Sequence, residues 1–357
     1  MPKHILIVDD SALIRKELGR LLFDAGFEVD YAKNGQEALE MVLAYDFDAV
    51  TMDINMPIMD GVNALKEIMR KKPTPVLMVS SLTQKDADVS FDCLELGAVD
   101  IVGKPGTITL RIEESGDEIV QKVKAASRMP KNRLKIRKSA NLTKSKLSNE
   151  EPKKIEKKEA DRHAKVQKVI MIGSSTGGPR LIERIVRALP AEYPHPVCVV
   201  QHMPQAFTEK FASRLDGLSA LHVLEARNNE AIVPGKVIIG RGGHHIHFGK
   251  KASGQYYVKL APNLAERYFC PSVDEMFFSA SKVFDANLIV AIELTGIGDD
   301  GADGMVELRN GGAYTIGESE ESAVVYGMPK EAYRRGGVVK QMGFDAILEE
   351  ILKLGRL

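Results

Sequence analysis

Paired cysteines are missing from this chain. Its three cysteines, Cys93, Cys198 and Cys270, are odd in number, lie far apart, and form no Cys-x-x-Cys or Cys/His spacing. A disulfide framework and a thiolate zinc site are thereby excluded, and free buried thiols in a reducing compartment are the expectation. Long apolar runs are missing as well. The first residues, Met-Pro-Lys-His then Ile-Leu-Ile-Val-Asp-Asp, turn acidic after four apolar positions, and no later run approaches the ~18 residues of a membrane span. A cytoplasmic protein with no direct membrane insertion is expected. Net charge is also absent, since 49 Lys+Arg balance 49 Asp+Glu. With 357 residues the chain is too long for a small stapled scaffold, and domains of ~100–200 residues predict two of them.

The zero balance conceals an uneven distribution. Residues 127–165 hold 14 Lys/Arg against 5 Asp/Glu, so the rest of the chain carries the compensating negative charge. This stretch is poor in aromatics and has no sustained apolar stripe, so it cannot offset the entropy of folding alone. It reads as a basic flexible linker between domains 1–126 and 166–357. No stacking aromatics or recognition helix accompany it, so nucleic acid is not the expected partner.

Residues 1–126 alternate apolar strands with amphipathic helices: HILIVDD, a helix from Ser11 to Ala25, FEVDYA, a helix from Gln36 to Ala44, FDAVTMDI, and a helix after Gly61. PVLMVSS, a helix through Asp88 to Leu96, AVDIVGKP and a helix to about Ala126 complete the run. Five strands alternating with five helices predict a flavodoxin-like five-stranded parallel sheet covered on both faces. Ligands of such sheets sit beyond the carboxyl ends of the strands. There the sequence puts Asp9 and Asp10 after strand one, Asp53 after strand three, Ser80 after strand four, and Lys104 followed by Pro105 after strand five. Carboxylates gathered in this way repel one another unless a cation joins them, and an all-oxygen ligand set suits Mg²⁺.

On these residues the stretch resembles the receiver domain of two-component response regulators. The resemblance implies that Asp53 accepts a phosphoryl group from a histidine kinase and that Asp9, Asp10 and Asp53, with the backbone carbonyl of Asn55, hold Mg²⁺. It further implies that Ser80 and Lys104 contact the phosphoryl group. One position departs from the family. Ile101 stands where an aromatic switch residue is usual.

The second half repeats the strand–helix alternation with different chemistry at the strand ends. VIMIGSSTGGPRLIERIV (169–186) is an apolar strand ending in hydroxyls and glycines before a helix opened by Pro179. PVCVVQHMP (196–204) ends in His202, and a helix follows from about Ala206 to Leu215. A β-rich insertion with KVIIG and the hairpin HIHFGKKASGQYYVKLA comes next, then NLIVAIELTGIGDDGADGM (287–305), an apolar strand breaking into glycines and acids. A doubly wound, mostly parallel α/β hydrolytic domain with a β-hairpin insertion is predicted.

Each loop alone has an ordinary structural reading, a helix cap for Ser174–Thr176 and for Asp299–Asp300. STGG lacks the lysine of a phosphate-binding loop and the spacing of a dinucleotide fingerprint. Together the three strand ends supply the parts that a weak hydroxyl nucleophile needs: a base to take its proton and a third group to orient the base. The order Ser, His, Asp differs from the α/β-hydrolase order.

That order, with the motifs GSSTGG, QHMP, PSVD and LTGIGDDGADGM, is similar to the catalytic domain of the chemotaxis receptor protein-glutamate methylesterases, from about residue 166 to at least 340. The resemblance implies Ser175 as nucleophile, His202 as base, Asp300 as its orienting acid, and the backbone N–H of Ile297 with Thr176 as oxyanion donors. It implies demethylation of glutamate esters and deamidation of glutamines on chemoreceptor cytoplasmic helices, and no cofactor for that chemistry. A receiver tethered to a hydrolase predicts a switch, in which the unphosphorylated receiver covers the Ser175 cleft and phosphorylation frees it. Ser174 stands where alanine is usual and Ile297 where methionine is usual. The alternative is a response regulator whose second domain only binds a nucleotide or a protein. RGGHHIHF (241–248) puts His245 and His247 on one strand face, but without a third ligand they read as structural or as lying at a substrate edge. Arg241 and Arg267 could attract an acidic surface.

Overall fold

A computed structural model of the chain describes residues 2–81, 84–104, 112–129, 157, 166–264 and 266–356. Pro105 and nearly all of the expected linker lie outside the described residues. The chain divides into two compact units, 1–153 and 154–357.

The first unit runs β1 (His4–Val8), α1 (Ala12–Asp24), β2 (Glu28–Ala32), α2 (Gly35–Ala44), β3 (Ala49–Asp53), α3 (Gly61–Lys71), β4 (Val76–Ser80), α4 (Gln84–Leu96), β5 (Asp100–Gly103) and α5 (Ile112–Ala126). Its sheet has the order β2-β1-β3-β4-β5, and every pairing is parallel. Strands β3, β4 and β5 are buried at every position, as parallel strands covered by helices on both faces must be. The order reverses between β1 and β3, so their carboxyl ends open on a crevice.

The second unit continues with β6 (Val169–Ser174), α6 (Gly178–Ala188), β7 (Val197–Gln201), α7 (Gln205–Leu218), β8 (His222–Glu225), β9 (Lys236–Ile239), β10 (His245–Lys250) and β11 (Tyr256–Ala261). It ends with α8 (Val273–Val283), β12 (Ile289–Glu293), α9 (Ala302–Asn310), β13 (Tyr314–Glu318), α10 (Met328–Arg334), β14 (Lys340–Met342) and α11 (Phe344–Leu354). A seven-stranded sheet has the order β14-β13-β12-β6-β7-β9-β8, again parallel throughout.

One expectation changes here. KVIIG is not part of an insertion: as β9 it pairs with β7 in parallel, Val197 opposite Val237. Its consecutive buried apolar residues are the mark of a strand covered on both faces, and the alternating burial of β11 marks the true hairpin. Among the described residues only β10 and β11 stand apart, as an antiparallel pair.

Helix α6 shows how the local sequence makes the architecture. Pro179 fits its first turn, where an N–H would have no partner. Ile182, Ile185 and Val186 recur at helical spacing and are buried. Truncating a fully buried Ile182 to alanine would cost about 2–5 kcal/mol. The turn into this helix needs Gly177, whose φ of 82° is left-handed and whose missing side chain leaves room for Val324. Lys157, inside the expected linker, contacts the carboxylate and carbonyl of Asp216, and falls within the second unit.

Candidate active site

The chain enters the seven-stranded sheet at β6, lays β7, β9 and β8 to one side, and returns to lay β12 on the other. The reversal lies between β12 and β6, where a crevice is unavoidable. Ser175 follows β6, His202 follows β7, and Thr295 to Asp300 follow β12. Three sequence-predicted junctions therefore end on three adjacent strands.

The imidazole and the carboxylate meet. His202 Nε2 lies 2.7 Å from Asp300 Oδ2. Asp300 is gripped from the start of α8: Ser272 Oγ donates to it at 2.7 Å, Val273 N at 2.7 Å and Asp274 N at 3.1 Å. Burial would raise the Asp300 pKa, but the hydrogen bond and charge of His202, with the Ser272 and Val273 donors, outweigh it and hold the carboxyl below the usual aspartate range. An ionised carboxylate only accepts, so Nε2 carries the imidazole proton. Nδ1 is then the basic nitrogen; it is buried and has no hydrogen-bond partner among the described residues. Phe269 stacks on the ring, centroids 3.8 Å apart and planes 8° apart, fixing its tilt.

The serines separate by environment. Ser174 is fully buried and its hydroxyl donates to Gln201 Oε1 at 2.8 Å. The Gln201 amide in turn donates to the Ser175 and His202 carbonyls at 2.9 and 3.0 Å, and the His202 N–H donates to the Ser174 carbonyl at 3.0 Å. Backbones carrying the two groups are thus tied together. The Ser175 hydroxyl is not hydrogen-bonded to the imidazole; such bonds often close only once substrate is seated.

Ile297 and Thr176 flank the same strand ends. Gly296 O accepts from Gly327 N at 3.1 Å and Met328 N at 2.9 Å. In a trans peptide the N–H points opposite to the C=O, so the Ile297 N–H is turned away from α10. A side chain at Gly296 would collide with Ser175 Cβ, which explains the glycine beside the serine. Thr176 is fully buried, its carbonyl held by Thr295 Oγ1 at 2.9 Å.

Other sequence candidates are accounted for. His245 Nε2 pairs with Asn263 Oδ1 at 3.0 Å, and His247 Nε2 with Glu275 Oε2 at 3.0 Å. They belong to no metal-holding cluster among the described residues. Arg267 is paired with Glu275 at 3.0 Å, and Arg241 lies 3.8 Å from Glu225. Sequence reasoning did not single out Gln201, Phe269 or Glu293. Gln201 and Ser272 lie inside the motifs QHMP and PSVD, whereas Phe269 and Glu293 carry no local signal.

In the first unit, Asp9, Asp10 and Asp53 present oxygens all within 4.8 Å of one another. Lys104 Nζ reaches Asp9 at 3.0 Å and Asp53 at 2.9 Å. Burial, with Asp9 adding to it, pushes the Asp53 carboxyl above its ordinary range against the pull of Lys104. Two buried acids and one exposed one, all oxygen donors, fit a hard divalent cation. Ser80 is buried and its carbonyl accepts from Lys104 N at 2.7 Å. Asn55 follows β3 at the surface, and Ile101 is buried on β5.

A family model described as CheB methylesterase matches residues 170–351, and one described as response regulator receiver domain matches residues 5–113. The chain is 45% identical over 358 residues to a protein-glutamate methylesterase/protein-glutamine glutaminase of Carboxydothermus hydrogenoformans, covering 99% of each chain. It is 41% identical over 352 residues to a protein of the same name from Archaeoglobus fulgidus, covering 98% of this chain and 97% of the other. The crystal structure of the Thermotoga maritima CheB methylesterase catalytic domain is 36% identical, with a TM-score of 0.50, covering 52% of this chain and 98% of that one.

Proposed function

Because the chain belongs to the CheB methylesterase family and carries a response regulator receiver domain ahead of the catalytic one, we propose that it removes methyl esters from glutamate side chains of chemoreceptors, and deamidates glutamines, through Ser175, His202 and Asp300. The observation that carries this reading is the His202–Asp300 pair, which commits Nε2 to the carboxylate and leaves Nδ1 free to act as base.

The Ser175 oxygen attacks the γ-ester carbonyl carbon while His202 Nδ1 takes the hydroxyl proton. The imidazolium so formed is stabilised by the ionised Asp300. The Ile297 N–H and Thr176 donate to the oxyanion, each such donor lowering the barrier by ~3–4 kcal/mol. The tetrahedral intermediate collapses, the C–O bond to methoxide breaks, and the imidazolium returns its proton to give methanol. Water, deprotonated by His202, then cleaves the acyl-serine, giving glutamate and free Ser175. For a glutamine the same proton goes to the departing nitrogen, which needs it more because an amide leaves poorly.

In the receiver, Asp53 accepts a phosphoryl group from the histidine kinase of the chemotaxis system. Asp9, Asp10, Asp53 and the Asn55 carbonyl would hold Mg²⁺, which would supply positive charge to offset the phosphoryl oxygens. Lys104 and Ser80 meet the up to two negative charges that phosphorylation adds. With the aliphatic Ile101 on β5, the signal does not travel through an aromatic rotamer. Residues 127–165 serve as the tether between receiver 1–126 and catalytic domain 166–357. Among the described residues no helix is long and apolar enough to cross a membrane, and the receptor helices that serve as substrate place the enzyme in the cytoplasm.

Methanol release from methylated receptor membranes, run beside labelling with a fluorophosphonate, tests the reading. Release, with a single labelled serine in the 174–175 loop, is expected. A chain that neither releases methanol nor takes the label is a binding module rather than a hydrolase.

A further inference from the structure

The β10–β11 hairpin lies outside the seven-stranded sheet, yet β10 runs along the helix that grips Asp300. His245 Nδ1 accepts from Ser272 N at 3.1 Å, His247 Nε2 meets Glu275 Oε2 at 3.0 Å, and Phe248 N donates to Ser279 Oγ at 2.8 Å. Positions 272, 275 and 279 recur at the spacing of one helix face. The hairpin is therefore a splint along α8, and its first contact falls on the residue that caps the helix.

That contact has a defined chemistry. A backbone N–H can only donate, so His245 Nδ1 is unprotonated in this arrangement. Asn263 settles the other nitrogen: its Oδ1 accepts from Arg267 N at 2.8 Å while its Nδ2 donates to Arg267 O at 2.8 Å, so the amide cannot be flipped. His245 Nε2 consequently donates to Asn263 Oδ1 at 3.0 Å. The ring is buried and both nitrogens are engaged in one orientation.

We propose that His245 is a positioning residue for the esterase: by holding the Ser272 N–H it sets the first turn of α8, and that turn sets the Asp300 carboxylate against His202. Among the described residues, three of the four donors to Asp300 come from residues 272–274, and the fourth is His202 itself. The Ser272 hydroxyl cannot be exchanged for another partner, because it also caps the helix by accepting from Glu275 N at 3.3 Å. A shift of Ser272 therefore moves its hydroxyl and the Val273 N–H together, and the carboxylate moves with them. His245 touches no reacting atom and acts only through this chain of bonds. The proposal rests on the reading of Asp300 as the acid that orients His202.

Paired substitutions separate the two nitrogens. In His245→Asn the side-chain oxygen takes the place of Nδ1 and keeps an acceptor for Ser272 N. In His245→Gln the amide reaches toward Asn263 but leaves no acceptor at the Nδ1 position. The full-length proteins are compared with wild type and Asp300→Asn for kcat and KM on methylated receptor membranes. The hydrogen-bonded His202 Nε2 proton is followed by NMR with ¹⁵N-histidine. His245→Gln is expected to lower kcat by about 10–100-fold, the loss seen when outer hydrogen-bond partners are removed around metal-ligating histidines. KM should stay unchanged and the His202 Nε2 proton should shift upfield or broaden, with His245→Asn largely restoring both. Equal kcat in wild type and His245→Gln, with Asp300→Asn inactive, overturns the positioning role alone. Full activity in Asp300→Asn overturns the reading beneath it as well.

Discussion

The Ser174 hydroxyl donates to Gln201 Oε1 at 2.8 Å in a place with no solvent exposure. This one bond distinguishes the two neighbouring serines. A hydroxyl whose proton is committed to a buried amide has no reason to give it to an imidazole, and breaking the pair would strand the Gln201 oxygen away from water. That supports Ser175 as the proposed nucleophile.

Replacing Ser175 with alanine is expected to lower methanol release by roughly 10⁶-fold, the loss seen when a triad's serine nucleophile is removed. Ser174→Ala should retain activity and instead cost about 1–3 kcal/mol of stability, because Gln201 Oε1 is left unsatisfied. Initial rates and chemical-denaturation midpoints of the two variants check both halves. Activity that survives only in Ser175→Ala reverses the assignment.

How much of this site was legible in the sequence follows from what each residue does to the local pattern. Ser175, His202 and Asp300 each follow an apolar strand run, and a polar group at the carboxyl end of a parallel strand is visible as a break in that run. Asp9, Asp53 and Lys104 are visible for the same reason. Strand identity was less legible where the run was short: KVII reads as an insertion until its neighbours are known, and β13 and β14 lie in a segment that offered no motif. Which imidazole nitrogen faces Asp300 is a matter of one side-chain torsion and leaves no trace in sequence. Phe269 reaches His202 across the fold, and no spacing rule links positions 67 apart.

Glu293 is the clearest case of a residue whose setting is invisible in the sequence. As the last residue of β12 it reads as a polar strand end, yet it has no solvent exposure and both carboxyl oxygens lack hydrogen-bond partners among the described residues. Side chains added at Gly173 or Gly301 would collide with its carboxyl group, so it fills space between β6 and the start of α9. Burial, followed by the negative charges of Asp300 and Asp274, pushes its pKa well above the usual glutamate range. The folded protein therefore holds the proton and the unfolded chain releases it above about pH 4.3. Its contribution to stability is complete at low pH and declines as pH rises toward the folded value, by ~1.4 kcal/mol per pH unit at most.

Glu293→Gln, neutral at every pH, should escape that decline. Denaturation midpoints for wild type and variant are expected to diverge as pH rises above about 5, the variant becoming relatively more stable. Parallel curves across that range would show that Glu293 is ionised in the fold.

The receiver carries a buried acid, Asp53, already paired with Lys104 at 2.9 Å, so a phosphoryl group there must rearrange an ion pair that the resting fold satisfies. A small phosphodonor with Mg²⁺ is expected to raise the methanol-release rate of the full chain and to leave Asp53→Asn at the resting rate. If the unphosphorylated receiver blocks the Ser175 cleft, a 166–357 fragment, close in extent to the Thermotoga maritima domain crystallised separately, should be faster than the unphosphorylated full chain. A fragment no faster than that chain removes inhibition by cover. Activation by phosphodonor that persists alongside such a slow fragment would mean that the phosphorylated receiver assists catalysis directly, by binding the receptor or by ordering the α8 turn, and the tether would then deliver the receiver to its site of action rather than swing it away.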